Sequence, residues 1–210
     1  MSKEVVSVVM GIATLISCLV TGAAPLHAEQ VARAVYAPVG NATSVPAGYL
    51  QFCKDNPRDC SDAYEDARDV VLSKSAWRDM KSVNERVNSA IEPVTDQDNY
   101  GVAEHWGFPT NGRGDCEDYV LLKRKLLADA GWPRSALLIT VVRDKKGDGH
   151  AVLMVKTDRG EFVLDNQESR ILPWQATGYR YVKRQSQQDE NIWVSLGDTQ
   201  TTSVVAAGAQ

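Results

Sequence analysis

Apolar residues recur at three- and four-residue steps in two stretches of this chain. Trp77, Met80, Val83, Val87 and Ile91 mark one face of an amphipathic helix that ends before Pro93. A second helix opens at Cys116, continues through Tyr119, Val120, Leu122, Leu126, Leu127 and Ala130, and stops at Gly131 with Pro133 behind it. The period then changes. Residues 136–142 read as a strand, 143–149 as a turn, 150–157 as a second strand, and 162–164 as a third, reached through Asp158-Arg159-Gly160. This order predicts an α+β fold, with N-terminal helices and the cysteine helix packed on an antiparallel sheet. Residues 61–73 have helical composition, with Ser61 as a cap. Residues 96–110 read as a loop by their Gly, Pro and Asn content, yet hold Trp106 and Phe108, which can floor a cleft beside Cys116. Residues 29–50, rich in Ala, Pro, Gly and Ser, read as an extended lead-in.

Size and charge narrow the function classes. A chain of 210 residues has room for one domain with a real core. A hydrophobic content of 43%, a charged content of 24% and a net charge of −4 suit a soluble globular protein and exclude a basic nucleic-acid surface. The short runs Lys123-Arg124-Lys125 and Lys145-Lys146 read as solvated faces. Lys3 followed by the apolar run of residues 5–20, with small residues Gly22, Ala23, Ala24 and Ala28 after it, reads as a signal peptide over 1–28 and predicts export to a periplasm. Leu15-Ile16-Ser17-Cys18 offers a competing lipobox that would anchor the chain at Cys18. The expected organisation is a signal peptide (1–28), lead-in (29–50), one folded domain (51–197) and disordered tail (198–210).

Export changes how the cysteines read. Cys53 and Cys60 flank Asn56-Pro57 and stand near enough to bridge in an oxidising compartment. Cys116 is left unpaired, in Gly112-Arg113-Gly114-Asp115-Cys116-Glu117-Asp118-Tyr119. Asp115 reads as an N-cap and Asp118 as its capping-box partner, so Cys116 opens a helix whose first-turn N–H groups favour a thiolate and can hold an oxyanion. The opposing reading is a small buried hydrophobe. Asp115, Glu117 and Asp118 would raise the thiol pKa unless a bound cation offset them. His150 opens the second strand and Asp165 closes the third. With a two-residue loop at Asp158-Arg159, Asp165 lies across from Val152, diagonal to His150 and on its face; a three-residue loop would flip that parity. Cys116, His150 and Asp165 then make a nucleophile, base and orienter, with His105 as a less well-placed alternative base or else a surface histidine.

Gly114-Asp115-Cys116-Glu117-Asp118-Tyr119, Gly149-His150-Ala151-Val152-Leu153 and Val163-Leu164-Asp165-Asn166, with Trp106-Gly107-Phe108-Pro109 upstream, resemble the bacterial transglutaminase-like cysteine proteinases, the family of the periplasmic LapG-type proteases. The resemblance implies a papain/transglutaminase-like fold and a Cys116, His150, Asp165 triad. It also implies Ca²⁺ held by Asp115, Glu117 and Asp118, which agrees with the charge conflict at the thiol. The substrate so implied is a large surface adhesin of a biofilm, and an inner-membrane receptor is the implied regulatory partner. Two other functions fit the same residues: a transglutaminase-type acyl transferase, and a non-catalytic periplasmic binding module that keeps the fold.

Overall fold

The computed structural model describes residues 35–60 and 66–197. The signal peptide, Cys18 and the tail fall outside the described residues. Among those described, no helix is long and apolar enough to cross a membrane.

The long apolar-periodic helix spans Lys74–Ala90 (α2). Ser73 caps it by accepting a hydrogen bond from Ala76 N–H, and it buries Met80, Val83, Asn84 and Val87. The cysteine helix spans Cys116–Asp129 (α4) and buries Tyr119, Val120, Leu121 and Leu127. α2 packs on α4, and α4 lies across the strands Leu137–Arg143 (β4) and Gly149–Thr157 (β5). These continue into Gly160–Leu164 (β6) and Leu172–Pro173 (β7), and on the other side into Arg180–Gln185 (β8) and Trp193–Leu196 (β9). The described sheet runs β1-β9-β8-β4-β5-β6-β7, where β1 is Val39–Thr43, and every pairing in it is antiparallel; two short strands, Glu92–Pro93 (β2) and Arg113–Gly114 (β3), pair in parallel by themselves ahead of α4. Leu137, Ile139, Ala151, Leu153 and Val155 face the helices. Leu138, Val142, Val152, Met154 and Val163 form a second core with Tyr181 and Leu196 on the other face. Both faces are covered, which is why β4 and β5 read as nearly continuous apolar runs.

Four expectations are corrected. The lead-in holds β1 and a helix, Ala47–Asp55 (α1), whose Tyr49 and Phe52 enter the main core. Residues 66–73 form no helix; Val70 bridges Thr157, taking Lys156 O at 3.1 Å and receiving Asp158 N–H at 2.9 Å, so free backbone groups at the sheet override helical composition. Residues 61–65 lie outside the described set. The supposed loop contains a short helix, Asp96–Tyr100 (α3), capped by Thr95 and closed by Gly101 at φ 73°. Phe108 packs on Phe52 (5.3 Å between centroids) and lines a small pocket with Leu121, Arg124 and Arg134 that Cys116 does not line, while Trp106 packs against Tyr49 (6.0 Å) as core. Gly48 makes that seat, since a Cβ there would fall 2.2 Å from the Trp106 ring. The basic run on α4 is not a solvated face either, because Lys123 and Arg124 are buried. Cys53 and Cys60 form the expected disulfide, with Cα atoms 5.4 Å apart. Cys116 is the free cysteine of the described residues.

Candidate active site

Cys116 sits at the first position of α4, and Asp115 before it has extended backbone (φ −113°, ψ −160°) as an N-cap should. Its side chain does not cap. Asp115 Oδ2 instead accepts the Asp96 N–H at 3.2 Å, and Asp118 Oδ1 accepts the Gly107 N–H at 2.9 Å, so the expected capping box is replaced by two ties to the α3 segment. The first turn of α4 keeps its N–H groups free of an Asp115 oxygen, beside the thiol.

The strand register brings the histidine and the acid together. Thr157 pairs with Gly160 around the two-residue loop, Leu153 pairs with Leu164, and the next step places Asp165 beside Val152. His150 Nε2 meets Asp165 Oδ1 at 2.8 Å, with both side chains buried. The Tyr179 hydroxyl donates to Asp165 Oδ2 at 2.5 Å and the Gln167 N–H to Oδ1 at 3.0 Å, so both carboxylate oxygens are used. Asn88 on α2 donates to the Asp165 backbone carbonyl at 2.7 Å. With Nε2–H given to the carboxylate, Nδ1 is the ring's acceptor; Gln167 Nε2 lies 3.4 Å from it. At the same end of β5, the Ala151 N–H donates to Cys116 Sγ at 3.4 Å. The thiol is thus held against the residue that follows the histidine. His105 stands apart: it is exposed, its ring lies 4.5 Å from Tyr100, and its N–H goes to Asp96 Oδ2.

Electrostatics opposes the thiolate in the bare protein. Burial, the Glu117 charge and a 3.1 Å hydrogen bond from Sγ to Glu117 Oε2 push the Cys116 thiol well up. Burial and the neighbouring Asp115 push Glu117 up to about 9, and burial takes Asp118 to about 7. Asp165 goes the other way: burial works against its charge, but the His150 hydrogen bond and charge, with Tyr179 and Gln167, hold it below the usual range. Asp96, Asp115 and Glu117 each offer an oxygen within 4.8 Å of the others. Asp96 Oδ1 and Asp115 Oδ1 are buried and accept no hydrogen bond. Three clustered carboxylates with unused oxygens suit a hard divalent cation such as Ca²⁺. Asp115 and Glu117 of the sequence-predicted ligand set are in this group, as is Asp96; Asp118 lies outside it, although its Oδ2 is also buried without a hydrogen bond.

The family model described as bacterial transglutaminase-like cysteine proteinase matches residues 39–201. The chain belongs to that family. The proteinase is also similar to solved structures of LapG from Legionella pneumophila. The calcium-bound form is 24% identical, with a TM-score of 0.50 over 60% of this chain and 74% of that one. The EGTA-treated form is 25% identical, with a TM-score of 0.48 over 59% and 72%. The first likeness shows the transglutaminase-like fold, with its helices set against a large antiparallel sheet. No curated protein matches. The family makes the chain a cysteine peptidase, and a peptidase acts on a protein substrate.

Several residues at the site escape a reading of the sequence. Asp96 lies 19 positions before Asp115 in what reads as a loop, and Tyr179 lies 14 positions after Asp165; neither separation follows a helix or strand period. A Thr95 cap with acids behind it was the only local sign of α3.

Proposed function

We propose that the proteinase is a calcium-dependent thiol endopeptidase working through Cys116, His150 and Asp165. The observation that supports this most is the buried 2.8 Å His150 Nε2 to Asp165 contact at the strand end whose next N–H holds the Cys116 sulfur. His150 Nδ1 takes the thiol proton, Sγ attacks the peptide carbonyl, and the first-turn N–H groups of α4 face the oxyanion that forms. The leaving amine takes the proton back from His150, and water, deprotonated by the same ring, hydrolyses the thioester. Asp165, held on both oxygens, keeps Nδ1 as the acceptor and stabilises the imidazolium.

Asp96, Asp115 and Glu117 would hold Ca²⁺. Bound there, it supplies positive charge that keeps these carboxylates ionised and removes their opposition to the thiolate. The signal-like N-terminus, the disulfide and the calcium-bound relative support a periplasmic enzyme acting on a cell-surface protein such as a large adhesin, under an inner-membrane receptor. The test is fragment release from a surface-protein fraction by wild type and Cys116→Ala, each with calcium and with EGTA. Release by wild type plus calcium alone is the expected result. Release by Cys116→Ala, or equal release in EGTA, refutes the triad or the calcium requirement respectively.

A further inference from the structure

Arg143, the last residue of β4, stands opposite Gly149 on β5 and opposite Arg180 on β8. Both arginines are exposed. Like charges directly opposed on neighbouring strands repel, so this pairing weakens the sheet unless an anion joins it. The protein supplies none: among the described residues no ion pair or side-chain hydrogen bond reaches either guanidinium. Asp144 Oδ1 is spent on the turn, accepting the Lys146 N–H at 2.8 Å and the Asp148 N–H at 3.0 Å, and Glu168 pairs with Arg170 at 2.8 Å. Asp148 is exposed at the turn and pairs with neither arginine. The turn adds cations of its own, Lys145 and Lys146, both exposed. The Lys145 Cε lies 3.4 Å from where a Cβ on Gly178 would stand, two residues before Arg180.

The two arginines also stand beside the thiol. Val141 and Ala151, paired across β4 and β5, pack into the core on the side of α4, whereas Tyr181 packs into the core on the other face. Alternation along the strands then puts Arg143, Gly149 and Arg180 on the α4 face. Gly149 is two residues from Ala151, whose N–H holds Cys116 Sγ, a step of about 7 Å along a strand. Arg143 leans that way, its Nη1 lying 3.8 Å from where a Gly149 Cβ would be. With no side chain at 149, nothing on β5 stands between the guanidinium and solvent.

We propose that Arg143 and Arg180 form a subsite for the protein substrate, taking an aspartate or glutamate side chain two or three residues from the bond that is cut. This rests on the peptidase reading above. A planar guanidinium takes a carboxylate through two parallel N–H groups, and a second guanidinium beside it adds charge without another anion to compete. An extended peptide with its scissile carbonyl at Sγ covers the distance to Arg143 in about two residues, which sets the position of the acid.

The test is cleavage, with calcium, of a proteome-derived peptide library whose cut ends are read by mass spectrometry. Wild type should enrich Asp and Glu at one position two or three residues from the cut; no acidic enrichment within four residues of it overturns the proposal. Two peptides built on the commonest cut site, with Glu or Gln at that position, then give a ratio of kcat/KM values. The ratio should favour Glu about fivefold at low ionic strength, shrink in salt, and fall close to one in Arg143→Gln/Arg180→Gln. Arg143→Glu/Arg180→Glu should reverse it, favouring Lys over Gln. A Glu preference that survives either double substitution overturns the proposal. Because Arg143→Gln/Arg180→Gln removes two like charges that face each other, it should melt no lower than wild type; a lower melting temperature would make the pair structural and overturn the subsite. Should short peptides resist cleavage, the same cut ends are read from fragments of the surface-protein fraction. Wild type no more active than Cys116→Ala on either substrate would sink the peptidase reading itself, a different result from an active enzyme with no acidic preference.

Discussion

At Asp165 each carboxylate oxygen has its own donors: His150 Nε2 and the Gln167 N–H on one, the Tyr179 hydroxyl on the other. A charge-assisted hydrogen bond of this kind is worth roughly 1.5–3 kcal/mol. Tyr179→Phe keeps the ring that packs edge-on to His150, 5.8 Å between centroids, and removes only the hydroxyl. We expect it to lower kcat/KM of the folded enzyme about tenfold or more, with a fall of several degrees in melting temperature; a loss that appears only as melting would make Tyr179 a packing residue. Cys116→Ala should remove hydrolysis altogether while leaving the fold, since the thiol's hydrogen bonds are only the 3.4 Å one from Ala151 N–H and the 3.1 Å one to Glu117 Oε2. The three residues proposed as the triad stood out in the sequence because each begins or ends an element with a strong periodic signal. Tyr179 did not: it is fixed by a strand pairing far from its sequence neighbours.

Among the elements, α4 is set by what precedes it. Gly114 lies so close to Asp118 that an added Cβ would stand 2.4 Å from Oδ2 and 2.8 Å from the Asp118 Cβ. Gly114→Ala must therefore push the first turn away from Gly107, and should cost about 1–3 kcal/mol by overpacking, read as a lower urea midpoint at unchanged m-value. Replacing Cys53 and Cys60 together by serine opens a short loop below α1 and should cost about 2–3 kcal/mol in the chain-entropy account. α2, α4 and β4 to β6 were legible to within a residue or two, because each carries a clean period of 3.6 or a continuous apolar run. β1, α1 and the extended segment around Val70 were not. β1 and the Val70 segment are short and lack a strong pattern, α1 is only nine residues long with Gly at its second position, and what fixes the extended pieces is a partner distant in the chain: Trp193 and Val194 for β1, Thr157 for Val70.

For the molecule as a whole, the acidic group beside the thiol links stability to pH. The folded chain holds Glu117 protonated up to about 9, against an ordinary 4.5, so between those values it binds a proton that the unfolded chain has lost. Stability of the metal-free protein should therefore fall as pH rises through that window. Calcium should reverse the trend, giving about 2.7 kcal/mol at a hundredfold excess over Kd, or about 5–10 °C in Tm. Melting curves at pH 5 and pH 8 with calcium and with EGTA check this; a calcium increment no larger at pH 8 than at pH 5 would separate the acids from the metal.

β1 and β9 lie side by side, Val39 opposite Leu196 and Thr43 opposite Trp193, although some 150 residues of chain separate them. That edge of the sheet is thus built from the first and last of the described strands, one made early and the other late on the ribosome. No amount of waiting lets β1 find its place before Trp193 and Leu196 exist, whereas α4 and the β4 to β6 meander hold their contacts among near neighbours and can assemble earlier. A nascent chain halted before residue 193 would hold Cys116, His150 and Asp165 and a bare strand edge at the same time, a species prone to pair with its own copies.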